Sequence, residues 1–191
     1  MRPVTFERKN EIINQATELF KVKGYSATSM RDIAASVGIE APSLYSHYQS
    51  KEEILQKICF GMAHKFLDNL EESQKAQELS PGKQLHEIIK KHVLLITNNL
   101  GQVAVFWNEW RYMSEPHFSD FVKMQRTYEK GLKDIIDRGI DSGEFNRVNS
   151  TFTTMAILSS LNGIQKWHNY TLSPEIMAES FAQLFIEGIK L

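Results

Sequence analysis

The stretch that most constrains this chain is Thr28 to Lys51, T-S-M-R-D-I-A-A-S-V-G-I-E-A-P-S-L-Y-S-H-Y-Q-S-K. Its spacing predicts two short helices joined by a tight turn. Ser29 can cap the first, with Asp32 three residues on as the reciprocal partner. Met30, Ile33, Ala34 and Val37 then share one face at spacings of three and four. Gly38 follows where a chain reversal needs a residue that accepts positive φ. Pro42 suits the first turn of a second helix, because its missing N–H has no partner there in any case. Leu44 and Tyr48 lie four apart and face inward. Ala41, Ser43, Tyr45, Ser46 and His47 are left outside. A helix this short is unstable alone and must be held by its neighbours. Hydroxyls, an imidazole, the amide of Gln49 and the ammonium of Lys51 suit a DNA groove better than an active site. A second helix presented outward is the helix-turn-helix arrangement.

The same residues carry a resemblance. Leu19-Phe20, Gly24-Tyr25, Thr28-Ser29-Met30, Ile33-Ala34, Gly38-Ile39, Leu44-Tyr45-Ser46-His47-Tyr48 and Lys51-Glu52-Glu53-Ile54-Leu55 follow one another without a gap, as in the TetR family of transcriptional regulators. Tyr48 departs mildly, since the family usually has Phe there. The resemblance covers about the first quarter of the chain; beyond that it rests on helix pattern. It implies a DNA-binding set of Thr28, Ser29, Ala41, Pro42, Ser43, Tyr45, His47, Tyr48 and Lys51. Ser43 and Ala41 would approach base edges, while Thr28, Tyr45, His47 and Lys51 would hold phosphates, which position rather than specify.

Composition agrees with a helical fold. Five prolines and ten glycines in 191 residues are too few for a loop-rich β protein, and period-2 runs are scarce. The expectation is an all-α chain of about nine helices. Residues 1–50 would form the helix-turn-helix DNA-binding domain and residues 51–191 the ligand-binding and dimerisation domain. The single cysteine, Cys59, cannot form an internal disulfide or a Cys-based zinc site, and reads as a core residue in a reducing compartment. No run approaches the roughly 18 apolar residues of a membrane span, and the N-terminus lacks a hydrophobic signal core. A cytoplasmic protein without membrane partners is expected. Net charge is −1. Residues 1–51 carry seven Lys/Arg against five Asp/Glu, whereas residues 52–191 carry fifteen against eighteen. That small surplus would give one head weak DNA affinity, since phosphate neutralisation supplies much of it. Two heads on a near-palindromic operator are therefore expected.

Along the chain, Thr5 is placed to cap a first helix reaching Lys23, with Phe6, Ile13, Ala16, Leu19 and Phe20 buried. Ser50 and Glu53 make an S-x-x-E capping box for a long bridging helix to about Ser73. Ser80-Pro81 opens the next, with Leu85, Ile88, Ile89, His92, Val93 and Ile96 inward. Asn98 to Gly101 breaks it. An aromatic-rich helix is expected over Val103–Met113, then a long one from Pro116 to about Ser142, closed by Gly143. Ser150 and Ser173-Pro174 begin the last two. Ser159, Ser160 and Gly163 permit close approach, and Phe181, Leu184 and Phe185 supply bulk. This pair suits a homodimer interface, as the resemblance also implies. The alternative is that both close the monomer core.

Catalytic and metal motifs are lacking. His86-Glu87 and His92 fail the zinc-helix spacing, lying six apart where four is needed. No cofactor or metal is expected, and no enzyme activity; His64, His86, His92 and His168 read as surface or cavity residues. Phe106-Trp107-Asn108-Glu109-Trp110-Arg111-Tyr112 is either core filling or the wall of an effector cavity. The cavity reading gathers Met62, Phe66, Phe106, Trp107, Trp110, Arg111, Tyr128, Asn162, Gln165 and Trp167, apolar walls with a few polar groups. N-E-W-R-Y and L-N-G-I-Q-K-W are similar to the acyl-CoA-responsive TetR subgroup. An acyl-type effector is the first expectation; an aromatic cation on Trp107 or Trp110, with Glu109 as counter-charge, is the second. The resemblance implies a ligand-released repressor. The alternatives are an architectural DNA binder without ligand, and a helical carrier or enzyme.

Overall fold

The structure is a computed structural model that describes residues 4–75, 78–167 and 171–190, with side chains from Glu7 onward. Nine α-helices are present among these residues: α1 (Val4–Lys23), α2 (Met30–Val37), α3 (Ala41–Tyr45), α4 (Lys51–Lys75), α5 (Pro81–Asn98), α6 (Leu100–Asn108), α7 (His117–Asp141), α8 (Ser150–Gly163) and α9 (Pro174–Ile189). Short 3-10 turns follow α6 (Trp110–Tyr112) and α8 (Ile164–Lys166). No described helix is long and apolar enough to cross a membrane.

The described residues divide into two compact units, Met1–Met62 with Gly101–Val122, and Ala63–Leu100 with Lys123–Leu191. In the first, α1 packs on α2 and α2 on α3. Ile12, Ala16 and Phe20 of α1, the expected quartet of α2, and Leu44 and Tyr48 are all buried. Ile54, Leu55 and Ile58 continue that core along α4, whose start is fixed by the Ser50 hydroxyl accepting the Glu53 N–H at 3.1 Å. Cys59 is buried beside them, and burial, with Glu109 adding to it, pushes its thiol up to about 12.

In the second unit α5 lies along α9. Leu85, Ile88, Ile89, Val93 and Ile96 are buried, as are Leu132, Ile135 and Ile136 of α7 and Met177, Ala178 and Ala182 of α9. Glu144 accepts from the Ser80 hydroxyl at 2.9 Å and the Gly82 N–H at 3.1 Å, placing a carboxylate on the first turn of α5, where free N–H groups favour negative charge. Phe145 makes a single antiparallel bridge with Lys190. Its buried ring rests on Gly139, where any Cβ would collide with it.

Three boundary expectations are corrected. Helix α6 begins at Leu100, not Val103, because Asn99 alone ends α5: its side-chain amide donates to the Leu95 carbonyl at 2.8 Å. Gly101 does not break a helix but permits close approach of Thr17 and Glu18. The aromatic helix also stops at Asn108; the last residues tighten into a turn in which the Tyr112 N–H bonds Glu109 at 3.0 Å. At the N-terminus Thr5 lies within α1, already helical at Val4, and so is not its cap. The Phe6 side chain lies outside the described residues, and so does His168. The buried stripe of α1 runs Ile12–Ala16–Phe20 and includes Thr17, whose hydroxyl donates to the Ile13 carbonyl at 2.7 Å. Ile13 and Leu19 are half-buried.

Candidate nucleic-acid interface and effector residues

The reader is assembled by local chemistry. The Ser29 hydroxyl accepts the Asp32 N–H at 3.1 Å, and the Asp32 carboxylate accepts the Ser29 N–H at 2.8 Å. These bonds, the Ser29 hydroxyl foremost, hold the Asp32 carboxyl below the usual range. Gly38 adopts φ +73°, and the N–H groups of Gly38 and Ile39 close α2 onto the carbonyls of Ala35 and Ala34. Pro42 occupies the first turn of α3. With Leu44 and Tyr48 buried, α3 and the turn after it present Pro42, Ser43, Tyr45 and Ser46 to solvent, and Ala41 and His47 at half-exposure. The Tyr45 ring is 52% exposed, large for an aromatic with no apolar neighbour to cover it.

The remaining DNA candidates are placed differently. Ser29 is exposed, but its hydroxyl is engaged with Asp32. Thr28 is buried, and its hydroxyl donates to the Gly24 carbonyl at 2.9 Å. The Tyr48 ring is buried, which together with Glu53 raises its hydroxyl above the ordinary value. Lys51 turns inward, donating to the carbonyls of Tyr25 at 2.7 Å and Thr28 at 2.6 Å.

The effector candidates fall in both units. In the first, Phe106 is buried edge-on to Trp107 at 4.6 Å and Phe121 at 5.2 Å. Trp110 stacks on Phe118 at 5.3 Å, and the Arg111 guanidinium sits 4.9 Å from its ring centre. Met62 is fully buried. In the second unit, Phe66, His92 and Tyr128 form a ring cluster with centroids 4.7–5.6 Å apart. His92 Nε2 lies 3.1 Å from Asn162 Oδ1, and His92 Nδ1 lies 2.8 Å from the Tyr128 hydroxyl. Because Oδ1 only accepts, Nε2 carries the proton, and in the neutral ring Nδ1 accepts from Tyr128. Gln165 is half-buried, while Trp167 is 48% exposed against Phe181 at 5.7 Å. The sequence marks His92 as inward and counts it among the surface or cavity histidines, but leaves it out of the effector set. Its signal is a titratable residue within the apolar face of α5.

Burial depresses the His92 pKa to about 4, with the bond to Asn162 opposing the shift. An unfolded histidine titrates near 6.5, so the unfolded chain takes up a proton that the folded one refuses. This share of stability is complete above about pH 6.5, falls as pH drops, and levels off near pH 4. Denaturant melts of the wild type and His92→Phe are expected to show the wild type losing a few kcal/mol more than the variant between pH 7 and pH 4.5. Parallel losses would contradict a neutral buried His92.

A three-helix reader followed in the chain by six further helices among the described residues defines a helix-turn-helix DNA-binding regulator. The chain belongs to the TetR family: residues 12–58 match the model for bacterial regulatory proteins of the tetR family, and residues 78–189 match the tetracyclin repressor-like C-terminal domain. It is 30% identical to the HTH-type transcriptional repressor KstR2 of Mycobacterium tuberculosis over 142 residues, 72% of this chain and 69% of that protein. Among solved structures it is similar to a tetR-family regulatory protein from Rhodococcus RHA1, with a TM-score of 0.87 and 25% identity, over 96% of this chain and 97% of that one. The fold is also that of AibR in complex with isovaleryl coenzyme A and operator DNA, with a TM-score of 0.82 and 23% identity, over 93% of this chain and 97% of that one.

Proposed function

We propose that the chain is a homodimeric, sequence-specific transcriptional repressor released from a near-palindromic operator by an acyl-type effector. The observation that carries the reading is the outward face of α3 and the turn after it, where exposed hydroxyls and the half-exposed His47 imidazole stand on a scaffold fixed by a capping box and a left-handed glycine. Ser43, with Ala41 and Pro42, meets base edges; Tyr45 and His47 meet phosphates. Thr28, Ser29 and Tyr48 support the reader from behind. The functional division falls between residues 50 and 51, at the capping serine of α4, with DNA reading before it and effector binding and dimerisation after it.

Dimerisation is assigned to α8 and α9. Phe152, Met155, Trp167, Leu172, Ile176 and Leu184, all exposed, account for most of the exposed large apolar side chains among the described residues. Patches of this kind mark interaction surfaces. The acyl reading draws on AibR, described in complex with isovaleryl coenzyme A, and on KstR2, described as a ketosteroid regulator. Isovaleryl coenzyme A and a ketosteroid each offer an apolar portion that a pocket can bury. The cation alternative is weakened by occupied partners: Arg111 lies over Trp110, and Glu109 accepts the Tyr25 N–H at 3.4 Å. The effector candidates are taken unit by unit: Met62, Phe106, Trp107, Trp110 and Arg111 in the first, and Phe66, Tyr128, Asn162, Gln165 and Trp167, with His92 added, in the second.

Two substitutions test the assignment of α3. Ser43→Ala is expected to relax preference at one base position per half-site, by about 1–3 kcal/mol, and Tyr45→Phe to weaken all sequences alike. Base preference unchanged in Ser43→Ala would remove Ser43 from the base-reading set. Isovaleryl-CoA or a longer acyl-CoA is expected to lower operator affinity roughly 5–150-fold.

A further inference from the structure

Lys51 is the residue whose geometry the proposed function leaves unused. An ammonium has three N–H donors. Two are given to the carbonyls of Tyr25 and Thr28, and the group also sits 4.2 Å from the centre of the Tyr25 ring, within cation–π range. Its ammonium thus has internal partners for the donors that would otherwise meet a phosphate. Desolvation lowers the Lys51 pKa, with Asp32 opposing it, as expected of a cation drawn into the protein.

Tyr25 is held from other directions within the same compact unit. The Tyr112 ring stacks on it at 5.2 Å and an interplanar angle of 27°, and Phe20 meets it edge-on at 5.2 Å. Its N–H points to Glu109 Oε2. Its carbonyl accepts the Thr28 N–H at 3.2 Å as well as the Lys51 ammonium. Thr28 immediately precedes the cap of α2, and α2 leads into α3 through only Gly38 to Glu40. Fixing the Thr28 carbonyl therefore fixes where α2 starts, and α3 follows it.

We propose that Lys51 is a positioning residue, latching the α1–α2 turn to the head of α4, and that the Glu109–Tyr112 segment grips this latch through Tyr25 and so controls the pose of α3. The proposal rests on α3 being the DNA reader. It separates Lys51 from a plain phosphate contact, and it gives the aromatic segment after α6 a hold on the reading helix that runs through Tyr25. Tyr112 stacks on Tyr25 while half of its surface stays exposed, so the comparison of single and double variants, and not the size of its own loss, tells the latch from a direct DNA contact.

The test compares wild type, Lys51→Met, Tyr112→Ala and the double variant, using the duplex bound best by the wild type. Lys51→Met keeps the apolar stem and removes the donors. Each single variant is expected to weaken operator binding by roughly tenfold, and the double variant no more than the stronger single, because both break one linked contact. The slope of log affinity against log salt is expected to stay at the wild-type value in all of them. In the DNA-free protein, amide exchange over residues 25–30 is expected to quicken in both singles while that of α5 and α9 stays unchanged. A slope reduced by about one in Lys51→Met would make Lys51 a phosphate ligand and overturn the latch. Wild-type affinity in Tyr112→Ala, additive losses, or unaltered exchange at residues 25–30 in that variant would overturn it too. A wild type that binds no duplex selectively would defeat the DNA-reading function itself, while the exchange measurement still decides the latch.

Discussion

Leu184→Arg is expected to turn a dimer into a monomer and to lower operator affinity by about 100-fold or more, the factor lost when two linked binding events become one. Leu184 is 65% exposed on α9, so the substitution leaves the core of its own subunit intact. At a two-fold interface the same patch meets itself, so the one substitution buries two arginines, neither with a partner. The head of one subunit offers a surplus of only two positive charges across residues 1–51, too few to hold DNA firmly alone. Sedimentation and anisotropy titration measure the two effects, and unchanged helical circular dichroism shows the subunit still folded. A variant that stays dimeric would remove α9 from the interface. A monomer that retains full operator affinity would show that paired heads are not needed.

Phe121→Ala is expected to be the most damaging single truncation of the first compact unit, at about 3–5 kcal/mol. Phe121 is fully buried, and its ring meets those of Phe60 at 6.0 Å, Phe106 at 5.2 Å and Trp110 at 5.5 Å. Three rings in edge-on or tilted contact cannot all relax into the space left by one, so the cavity persists. For a chain of this size the melting temperature should fall by roughly 6–20 °C. Phe152→Ala, at a ring 72% exposed on α8, should change subunit stability by no more than about 0.5 kcal/mol. Equal losses at the two positions would mean that the aromatic cluster is not the core of its unit.

The reader was legible in the sequence because its determinants are local. A capping box, a left-handed glycine and a first-turn proline each act within a few residues, and they place Ser29, Gly38 and Pro42 as expected. The inward pair Leu44 and Tyr48 follows from the same spacing. Lys51 was not legible, because the carbonyls that accept its hydrogen bonds belong to residues 23 and 26 positions earlier. Gly101 misled for a related reason: a glycine chosen for close approach to Thr17 and Glu18 looks in sequence like a glycine chosen to end a helix. The hydrogen bonds of His92 to Tyr128 and Asn162 span 36 and 70 residues and carry no short-range signature. The last two helices were legible as unusually apolar, and the exposure of Phe152, Ile176 and Leu184 adds what composition cannot, that this surface is left uncovered by its own subunit.

Selection of bound duplexes from randomised DNA, repeated with isovaleryl-CoA and with a long-chain acyl-CoA present, addresses the regulator most directly. Two inverted half-sites about 34–36 Å apart centre to centre, or a multiple of that spacing, are expected to be enriched, and the enriched duplex to be released as acyl-CoA is added. Retention of all sequences alike, with affinity set only by salt, would contradict a sequence-specific, ligand-released repressor.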